Sequence, residues 1–425
     1  MPFRFVHTAD LHLDSPLRSL ALKNPELAEL VRGATRTALT RIVDLCLAEN
    51  VDALLVAGDL YDGAQTSMNT ALFLAGEMRR LEAAGIHVFL IRGNHDSQST
   101  MTRELTFPAN VHVFTGKAKP VQAKMLDDGR AVHIHGVGFT NPHAPDSLLP
   151  LFQQPVADAV NIGMLHTSLA GAPGHDPYAP CSIAELSGHG FDYWALGHVH
   201  LRQIHSQKPL IVMPGMPQGR DINEAGPKTV TLVTVSDDGI LDHREHEIGQ
   251  AVFERVTVDL GGADDWRSML DRAGQAIGTA RQAIGADHLI LRVFLTGATP
   301  LAWKLRRDPE FLFAEFSNLA AGFNGCWIEK IEIECQGLTP EGVVSGPDPV
   351  EELAGLIRSE VLPSHGFRQQ AQAALDELLS QLPRELRENL AGDEAAAARL
   401  LDRIALAGSD DVLAYLHGDA AEVPR

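Results

Sequence analysis

The sequence predicts a layered α/β fold, and two patterns support that prediction. From residue 1 to about residue 250, short apolar runs typical of strands alternate with segments whose apolar residues recur at helical spacing. Five of the apolar runs end beside a short polar motif that contains histidine, aspartate or asparagine. Because ligands bind outside the carboxyl ends of strands in open α/β sheets, this placement predicts a ligand site at the strand ends.

The five runs and their motifs follow one another in chain order. The runs are Phe3–Thr8, Ala53–Ala57, Val88–Ile91, Asn161–Leu165 and Tyr193–Leu196. The motifs are Asp10-Leu11-His12, Gly58-Asp59-Leu60-Tyr61-Asp62, Gly93-Asn94-His95-Asp96, Gly163-Met164-Leu165-His166 and Gly197-His198-Val199-His200. One motif alone would mean little, since Gly and Asn also favour ordinary turns and histidines can pack in a core. Their order and repetition indicate one metal centre.

The residue types fit two adjacent divalent ions. Such ions lie about 3.5–4 Å apart and clamp the attacking and leaving oxygens of a phosphoryl displacement. Asp59 is the natural bridging carboxylate, on a loop that Gly58 lets turn tightly. The other donors are mostly neutral, so the site stays cationic even with a bridging hydroxide and attracts a phosphodiester. The ions also lower the pKa of that bridging water, which makes it a nucleophile at neutral pH.

The elements between the motifs complete the layered domain. Arg36–Glu49 and Asn69–Ala84 are its clearest helical patterns, and each leads into the next strand. His133 and His135 alternate on a strand, so only one can face inward, and packing is favoured over metal binding. Two strands then form a predicted hairpin with Asp237-Asp238-Gly239 as its turn. They are Thr229–Val235 and Ile240–Glu247.

The sequence pattern of residues 251 to about 340 predicts a smaller α/β unit, with elements in the order β-α-β-α-β. Its expected elements are Phe253–Leu260, Asp264–Ile284, Leu289–Thr296, Leu301–Ala321 and Trp327–Cys335. Asp264 or Asp265 is expected to cap the first helix. Lys304, Arg306 and Arg307 form a basic cluster, which is interpreted as a solvated helix face in preference to a contact with duplex DNA.

The remainder of the chain predicts a linker and a helical tail. Gly337–Pro349 is rich in Gly and Pro, as a linker is. The helical patterns beyond it are Val350–Val361, Phe367–Leu382, Arg384–Leu390 and Glu394–Ala407. Such amphipathic helices can pack on their own domain or dock a partner in a groove, and the sequence leaves both open.

The charge of the chain restricts the interpretation of its partners. Lys and Arg number 35 against 55 Asp and Glu, a formal net charge of -20. The first 250 residues hold 19 basic against 27 acidic residues, and the rest hold 16 against 28. Nucleic-acid binders usually carry a basic surface. Either the metals and a few local cations attract DNA, or a partner protein supplies the affinity, or the substrate is another phosphoester.

Other features predict a cytoplasmic protein without a membrane segment. Apolar runs stay shorter than a transmembrane helix requires. The chain starts directly with a strand and shows no signal-peptide pattern. Cys46, Cys181, Cys326 and Cys335 show no CxxC spacing and are expected to be buried apolar residues or free thiols in a reducing compartment.

In this order, the five motifs resemble those of the calcineurin-like metallophosphoesterases. The chain is more closely similar to the SbcD/YhaO-type nuclease subunits, which are described as DNA repair exonucleases. That similarity lies in Phe5–Asp14, Val56–Asp62, and Pro214–Arg220 running on to Glu224–Lys228. It covers residues 1–250 well and the remainder loosely.

The resemblance implies a fold and a function. The fold would be a two-sheet metallophosphoesterase sandwich flanked by helices (1–250), an α/β capping domain (251–340) and a linker with a helical tail (341–425). The function would be that of a DNA exonuclease or endonuclease subunit in DNA repair, with two Mn²⁺ ions. Its partners would be DNA and an SMC-like coiled-coil ATPase of the SbcC or YhaN type, and a homodimer is left open. The alternative is a small-molecule or cyclic-nucleotide phosphoesterase.

The resemblance also implies the metal ligands. The first ion would be held by Asp10, His12, Asp59 and His200. The second ion would be held by Asp59, Asn94, His166 and His198, with Asp59 as the bridge.

Three further residues receive roles near the metals. His95 would face the scissile phosphate as a general acid or charge stabiliser. Asp62 would orient a histidine, although the sequence does not identify which one. This Asp is a departure from the archaeal and eukaryotic nucleases, which tend to carry His there. Arg220 follows His200 in the nuclease-like loop and is a candidate contact for the substrate.

Overall fold

A computed structural model describes most of the chain, and its contacts divide into two compact units. The described residues are 1–15, 24–62, 67–98, 107–116, 119–139, 144–169, 178–236, 241–337, 349–382, 387 and 390–416. The first unit comprises Met1–Arg255, Arg281–Leu291 and Asn324–Glu329. The second comprises Val256–Ala280, Arg292–Phe323 and Lys330–Arg425.

Two six-stranded sheets form the first unit. The strands are β1 (Phe3–Thr8), β2 (Ala53–Ala57), β3 (His87–Ile91), β4 (Val111–Phe114), β5 (Val121–Met125), β6 (Ala131–Val137), β7 (Val160–His166), β8 (Tyr193–Gly197), β9 (Gln203–Gln207), β10 (Leu210–Met213), β11 (Thr229–Val235) and β12 (Leu241–Glu247). The first sheet has the order β12-β11-β1-β2-β3-β4, and the second has the order β5-β6-β7-β8-β10-β9.

The motif-bearing strands are parallel within each sheet. In the first sheet β1, β2, β3 and β4 run parallel, β11 pairs antiparallel with β1, and β12 pairs antiparallel with β11. In the second sheet β6, β7, β8 and β10 run parallel, with β5 and β9 antiparallel at the edges. The carboxyl ends of neighbouring parallel strands meet at one edge of a sheet, which brings the motifs together.

Alternating side chains place the inner strands β2 and β8 between two cores. On β2, Leu55 packs in the core between the sheets while Leu54 and Val56 face the helices. On β8, Ala195 packs between the sheets while Trp194 lies in a core on the outer face of the second sheet. A period of two is what a strand buried on both faces requires. The predicted two-sheet sandwich flanked by helices is confirmed.

Four described helices lie within the first unit, and local side-chain caps begin three of them. They are α1 (Pro25–Ala48), α2 (Met68–Ala83), α3 (Asn94–Gln98) and α4 (Ile183–Gly188), with 3₁₀ turns at Leu149–Leu151 and Ile222–Glu224. The predicted helix Arg36–Glu49 starts later in the chain than the observed α1. The Asn24 side chain caps the helix and Pro25 occupies its first turn. Leu27 and Val31 in the added turns pack in a separate core with Phe253.

The two strands of the predicted hairpin are confirmed. Thr229 pairs with Glu247 and Val235 with Leu241 in antiparallel register. The predicted turn at residues 237–239 lies outside the described residues. On β6, His135 is fully buried and contacts Asn161, whereas His133 is only partly buried.

The smaller β-α-β-α-β unit forms in the predicted order, with one helical pattern divided. Its elements are β13 (Ala251–Asp259), α5 (Trp266–Ala283), β14 (His288–Thr296), α6 (Ala302–Arg307), α7 (Pro309–Ala321) and β15 (Cys326–Ile333). The three strands pair in the order β13-β14-β15. The pattern Leu301–Ala321 splits because Pro309 starts a new helix, which Asp308 caps. Asp265 caps α5 by accepting from the Ser268 amide.

The tail is helical. It contains α8 (Pro349–Leu356), a π turn (Ile357–Val361), α9 (His365–Ser380) and α10 (Glu394–Leu416). Residues 338–348 of the predicted linker and most of the predicted helix Arg384–Leu390 lie outside the described residues. Arg306 from the basic cluster donates to the Cys335 carbonyl and lies 3.9 Å from Asp410. Among the helices that the structure describes, none is long and apolar enough to cross a membrane. The domain boundaries at 250 and 340 remain a prediction.

Candidate metal centre

The motif loops begin with backbone conformations that few residues adopt. Asp10, His12, Asp59 and His198 all have positive φ angles, of 53°, 41°, 53° and 104°. Such conformations cost about 1–3 kcal/mol each and persist where the surrounding structure fixes them. Here the amides of Asp10 and His12 donate to the carbonyls of Gly58 and Asp59, which holds the first two loops side by side.

Gly93 allows the second and third loops to approach closely. A Cβ atom on Gly93 would lie 2.0 Å from Oδ1 of Asp59. The amide of His95 donates to that same oxygen at 3.1 Å. The Asp59 carboxylate is therefore held against the backbone of the third motif, which only glycine permits.

The first donor cluster contains Asp10, His12 and His200, whose ligand atoms lie within 4.8 Å of one another. Nε2 of His12 lies 3.2 Å from Nε2 of His200. Two unprotonated imidazole nitrogens at this distance repel through their lone pairs, so the contact needs a shared proton or a cation. Nδ1 of His200 donates to Glu224 at 2.8 Å, which leaves Nε2 as the ligand atom.

The second donor cluster contains Asp59, His166 and His198, again within 4.8 Å. Nε2 of His166 lies 3.3 Å from Oδ2 of Asp59 and 3.1 Å from Oδ1 of Asn94. Nδ1 of His166 donates to the Ala57 carbonyl, so Nε2, which faces the other donors, is the nitrogen that could bind a metal. The same Asp59 oxygen lies 3.9 Å from Nε2 of His12 in the first cluster. Asp59 thus lies between the two clusters, as a bridging ligand must.

The charges of the buried donors fit divalent cations. Burial alone would raise the pKa of the Asp59 carboxyl, but the adjacent His166 holds it well below its usual range. Burial raises the pKa of Asp10 to about 6. Burial lowers the pKa of His166, but the Asp59 carboxylate outweighs it and raises that pKa to about 9. Buried carboxylates are stable when they are paired or coordinate a metal, and this oxygen and nitrogen donor set suits divalent ions.

His95 lies beside the donor clusters and belongs to neither. Its imidazole is 39% exposed, and Nδ1 lies 3.2 Å from Oδ1 of Asp62. The same Asp62 oxygen is 3.9 Å from Nδ1 of His12. Of the two histidines, His95 is therefore the nearer to Asp62, and the role of Asp62 in orienting a histidine remains a prediction.

Sequence reasoning missed Asp96, although it ends the third motif. This fully buried carboxylate accepts from the amides of Gly93, Leu60 and Tyr61, and so ties the second motif loop to the third. Burial, reinforced by the nearby Asp59 charge, raises its pKa to about 7. Its signal was its place directly after His95 in a motif already selected for metal ligands.

Arg220 is engaged by protein groups. It donates through Nη2 and its backbone amide to the two oxygens of Glu224, at 2.8 and 2.7 Å. Nη1 reaches Ser15 Oγ at 3.2 Å and Asp62 Oδ2 at 3.5 Å. Sequence reasoning missed both Glu224 and Ser15, since neither belongs to one of the five motifs. A contact between Arg220 and the substrate remains a prediction.

Known proteins share both the site-bearing domain and the smaller unit. Residues 3–202 match the family described as calcineurin-like phosphoesterase, and residues 253–336 match the one described as metallophosphoesterase YhaO, middle domain. The uncharacterized metallophosphoesterase YhaO of Bacillus subtilis is 32% identical over 298 residues, which are 70% of this chain and 72% of that protein.

More distant similarity extends to repair proteins. The DNA double-strand break repair protein Mre11 of Sulfurisphaera tokodaii is 23% identical over 47% of this chain, and that of Methanopyrus kandleri is 26% identical over 51%. These matches span 50% and 49% of the Mre11 proteins. A dimetal phosphatase from Danio rerio covers 59% of this chain and 100% of its own, with 12% identity and a TM-score of 0.33.

The fold and the paired donor clusters define a dimetal phosphoester hydrolase. The chain belongs to the calcineurin-like metallophosphoesterases. Within that family it is similar to YhaO along most of its length and to the Mre11 proteins over about half of it.

Proposed function

We propose that this protein is a cytoplasmic, metal-dependent DNA nuclease subunit that acts in DNA repair together with an SMC-like coiled-coil ATPase. The observation that carries the hydrolytic part is the position of the Asp59 carboxylate between two donor clusters. The similarity to proteins named for DNA double-strand break repair supports DNA as the substrate. Nuclease assays would determine the direction of cleavage along the strand and whether the enzyme acts as an exonuclease or an endonuclease.

Two Mn²⁺ ions are the proposed cofactors. Nitrogen and oxygen donors without thiolate suit Mn²⁺, Fe²⁺ or Zn²⁺. Asp10, His12 and His200 would hold one ion, and Asn94, His166 and His198 the other, with Asp59 shared. When bound, such a pair polarises the phosphoryl oxygens and provides a nucleophile from water at neutral pH.

His95 is the proposed proton donor. Because its Nδ1 faces the Asp62 carboxylate, that nitrogen carries a hydrogen and Nε2 is left for the substrate. In its imidazolium form, His95 would transfer the Nε2 proton to the oxygen that leaves when the phosphodiester bond breaks. General acid catalysis of this kind contributes about 10²–10⁴-fold to rate.

The proposed docking site for the ATPase is an apolar groove in the tail. The groove has a volume of about 470 Å³. It is lined by residues of the π turn, α9 and α10, among them Leu375, Leu378, Leu401 and Val412. Leu378 and Val412 are 61% and 58% exposed, so apolar side chains of the groove are accessible to a partner. A partner helix would fill such a groove with its own apolar face. That partner would also supply DNA affinity to a chain whose net charge is -20.

Substrate comparison tests the proposal. The chain is incubated with Mn²⁺ and linear duplex DNA, hairpin DNA, a cyclic nucleotide or bis(4-nitrophenyl) phosphate, with and without an SMC-like coiled-coil ATPase. Cleavage of DNA by the wild type, stimulated by the ATPase and ATP and absent from Asp59→Asn, is the expected result. Hydrolysis of the cyclic nucleotide with no DNA cleavage under any condition would overturn it in favour of a small-molecule phosphoesterase.

A further inference from the structure

The loop after His200 links the first donor cluster to His95 through two side chains outside both clusters. We propose that Glu224 and Arg220 form a strut that positions His200 at one end and, through Asp62, His95 at the other. Both are positioning residues for phosphoester hydrolysis. The inference rests on the metal centre of the proposed function and is independent of whether DNA is the substrate.

The position of Glu224 is set by its own turn and packing, independently of its contact with His200. It ends the 3₁₀ turn Ile222–Glu224, whose start is capped by the Asp221 side chain. The buried Ile222 anchors that turn in the core that also contains the first turns of α1. The carboxylate is 11% exposed and accepts from Nδ1 of His200 at 2.8 Å. A rigid acceptor on Nδ1 sets both the ring orientation and the tautomer of a histidine ligand.

Arg220 saturates the remaining acceptor positions of Glu224. Nη2 and Nε of the guanidinium approach the two carboxylate oxygens at 2.8 and 3.3 Å, and the backbone amide adds a bond at 2.7 Å. Charge-assisted, forked bonds of this kind restrict geometry more than a single contact does. The carboxylate cannot turn away from His200 without breaking bonds to Arg220.

The other edge of the guanidinium restrains Asp62. Nη1 of Arg220 lies 3.5 Å from Oδ2 of Asp62, and Ser15 Oγ, which donates to that oxygen at 2.5 Å, lies 3.2 Å from Nη1. The second oxygen of Asp62 is the one that faces Nδ1 of His95. One arginine therefore connects the carboxylate behind a metal ligand to the carboxylate behind the proposed proton donor.

This arrangement predicts a different kinetic effect from a substrate contact. A phosphate could reach the guanidinium only by competing with Glu224 and Asp62, both of which already bind it. A residue that binds the substrate mainly changes KM, whereas one that positions catalytic groups mainly changes kcat. The two roles of Arg220 are thus separable by experiment.

The first test concerns Glu224 and uses Zn²⁺ as a diamagnetic probe. Glu224→Ala should weaken binding of one of the two ions by about 10–100-fold, and the ¹⁵N spectrum of the His200 ring should lose its fixed tautomer. Glu224→Gln keeps an oxygen acceptor and should fall between Glu224→Ala and the wild type. Glu245→Gln removes an equal charge from an exposed carboxylate that pairs with Arg202 and should change neither the metal affinity nor the ring spectrum. Tight binding of both ions and an unchanged ring spectrum in Glu224→Ala would overturn the strut.

The second test concerns Arg220 and uses bis(4-nitrophenyl) phosphate at saturating Mn²⁺. Arg220→Met should lower kcat by about tenfold or more with little change in KM. Saturating Mn²⁺ offsets the effect on His200, so in a His95→Ala background the same substitution should lower kcat much less, because its remaining effect on the rate passes through His95. Should Arg220→Met fail to fold by circular dichroism, Arg220→Lys keeps the charge and loses the fork. A raised KM with unchanged kcat, or additive effects in the double variant, would contradict the proposal.

Neither test needs DNA or the ATPase. A wild type that hydrolyses only small phosphodiesters would remove the nuclease proposal and leave the strut intact. Conversely, active DNA cleavage with additive Arg220 and His95 effects would remove the strut alone.

Discussion

Replacing His95 by alanine separates catalysis from metal binding. The imidazole lies outside both donor clusters, and its nearest charged partner is Asp62 at 3.2 Å. Both members of that pair are partly exposed, so their interaction contributes at most about 1 kcal/mol to folding. The backbone amide of His95, which bonds Asp59, is kept in the alanine variant. The substitution should therefore leave the fold and both metal sites in place.

The expected kinetic loss follows from the proposed proton transfer. A positioned general acid is worth about 10²–10⁴-fold in rate, which corresponds to about 3–5 kcal/mol of activation free energy. The variant Asp62→Asn keeps His95 and an oxygen acceptor for its Nδ1 but removes the negative charge. It should lose less activity than His95→Ala.

Hydrolysis of bis(4-nitrophenyl) phosphate and metal analysis of the same samples measure both effects. His87→Ala is the matched control, since His87 is an exposed histidine on β3, the strand that leads to the third motif. Full activity in His95→Ala would refute the proton-transfer role. Loss of a metal ion from that variant would show instead that His95 is a ligand.

Three further perturbations have expected outcomes. Gly93→Ala should lower the number of bound metals per chain, because the added Cβ would lie 2.0 Å from Asp59 Oδ1. Burial lowers the pKa of His7 from 6.5 to about 3, so protons bind the unfolded chain preferentially below pH 6.5. Urea titrations should then show a free energy of unfolding smaller by about 2 kcal/mol at pH 5 than at pH 7 from this residue. Val412→Glu should abolish co-purification with the ATPase and leave hydrolysis of the small phosphodiester unchanged.

Each perturbation has a control in the chain. Gly76→Ala should retain two metals, since a Cβ there meets nothing within 4 Å. His7→Gln should reduce the dependence of unfolding on pH, and an undiminished dependence would exclude His7 as its source. Met125→Glu places a charge on an exposed apolar residue far from the tail in sequence and should not affect ATPase binding. Full ATPase recovery with Val412→Glu would rule out the groove.

The strand ends were predictable because their determinants are local. Each motif directly follows its strand, and parallel pairing brings the ends of β1, β2 and β3 to one edge without further information. The same holds for β7 and β8. A pattern of apolar runs and polar motifs was therefore enough to locate the candidate metal centre, whereas the set of seven ligands came from the resemblance to the metallophosphoesterases.

Other features depend on contacts that sequence spacing does not encode. Glu224 lies 24 positions after His200, and their contact depends on how the intervening strands and turns fold. Sequence spacing likewise does not show which histidine contacts Asp62. In the structure, Nδ1 atoms of both His12 and His95 lie within 4 Å of its carboxylate. The start of α1 was missed for a different reason. Its first turns face a second core, so they do not continue the apolar pattern of the turns that cover β1 and β2.

The origin of the ligands has a thermodynamic consequence. Asp10, Asp59 and Asn94 follow strands of the first sheet, whereas His166, His198 and His200 end or follow strands of the second. Ions bound there would cross-link the two layers of the sandwich, and an unfolded chain offers no such preformed set of donors. Metal at 100 times its dissociation constant would then add about 2.7 kcal/mol per site to the free energy of unfolding. The metal centre would thus stabilise the folded state as well as support hydrolysis. Metal depletion would lower the free energy of unfolding as well as abolish activity.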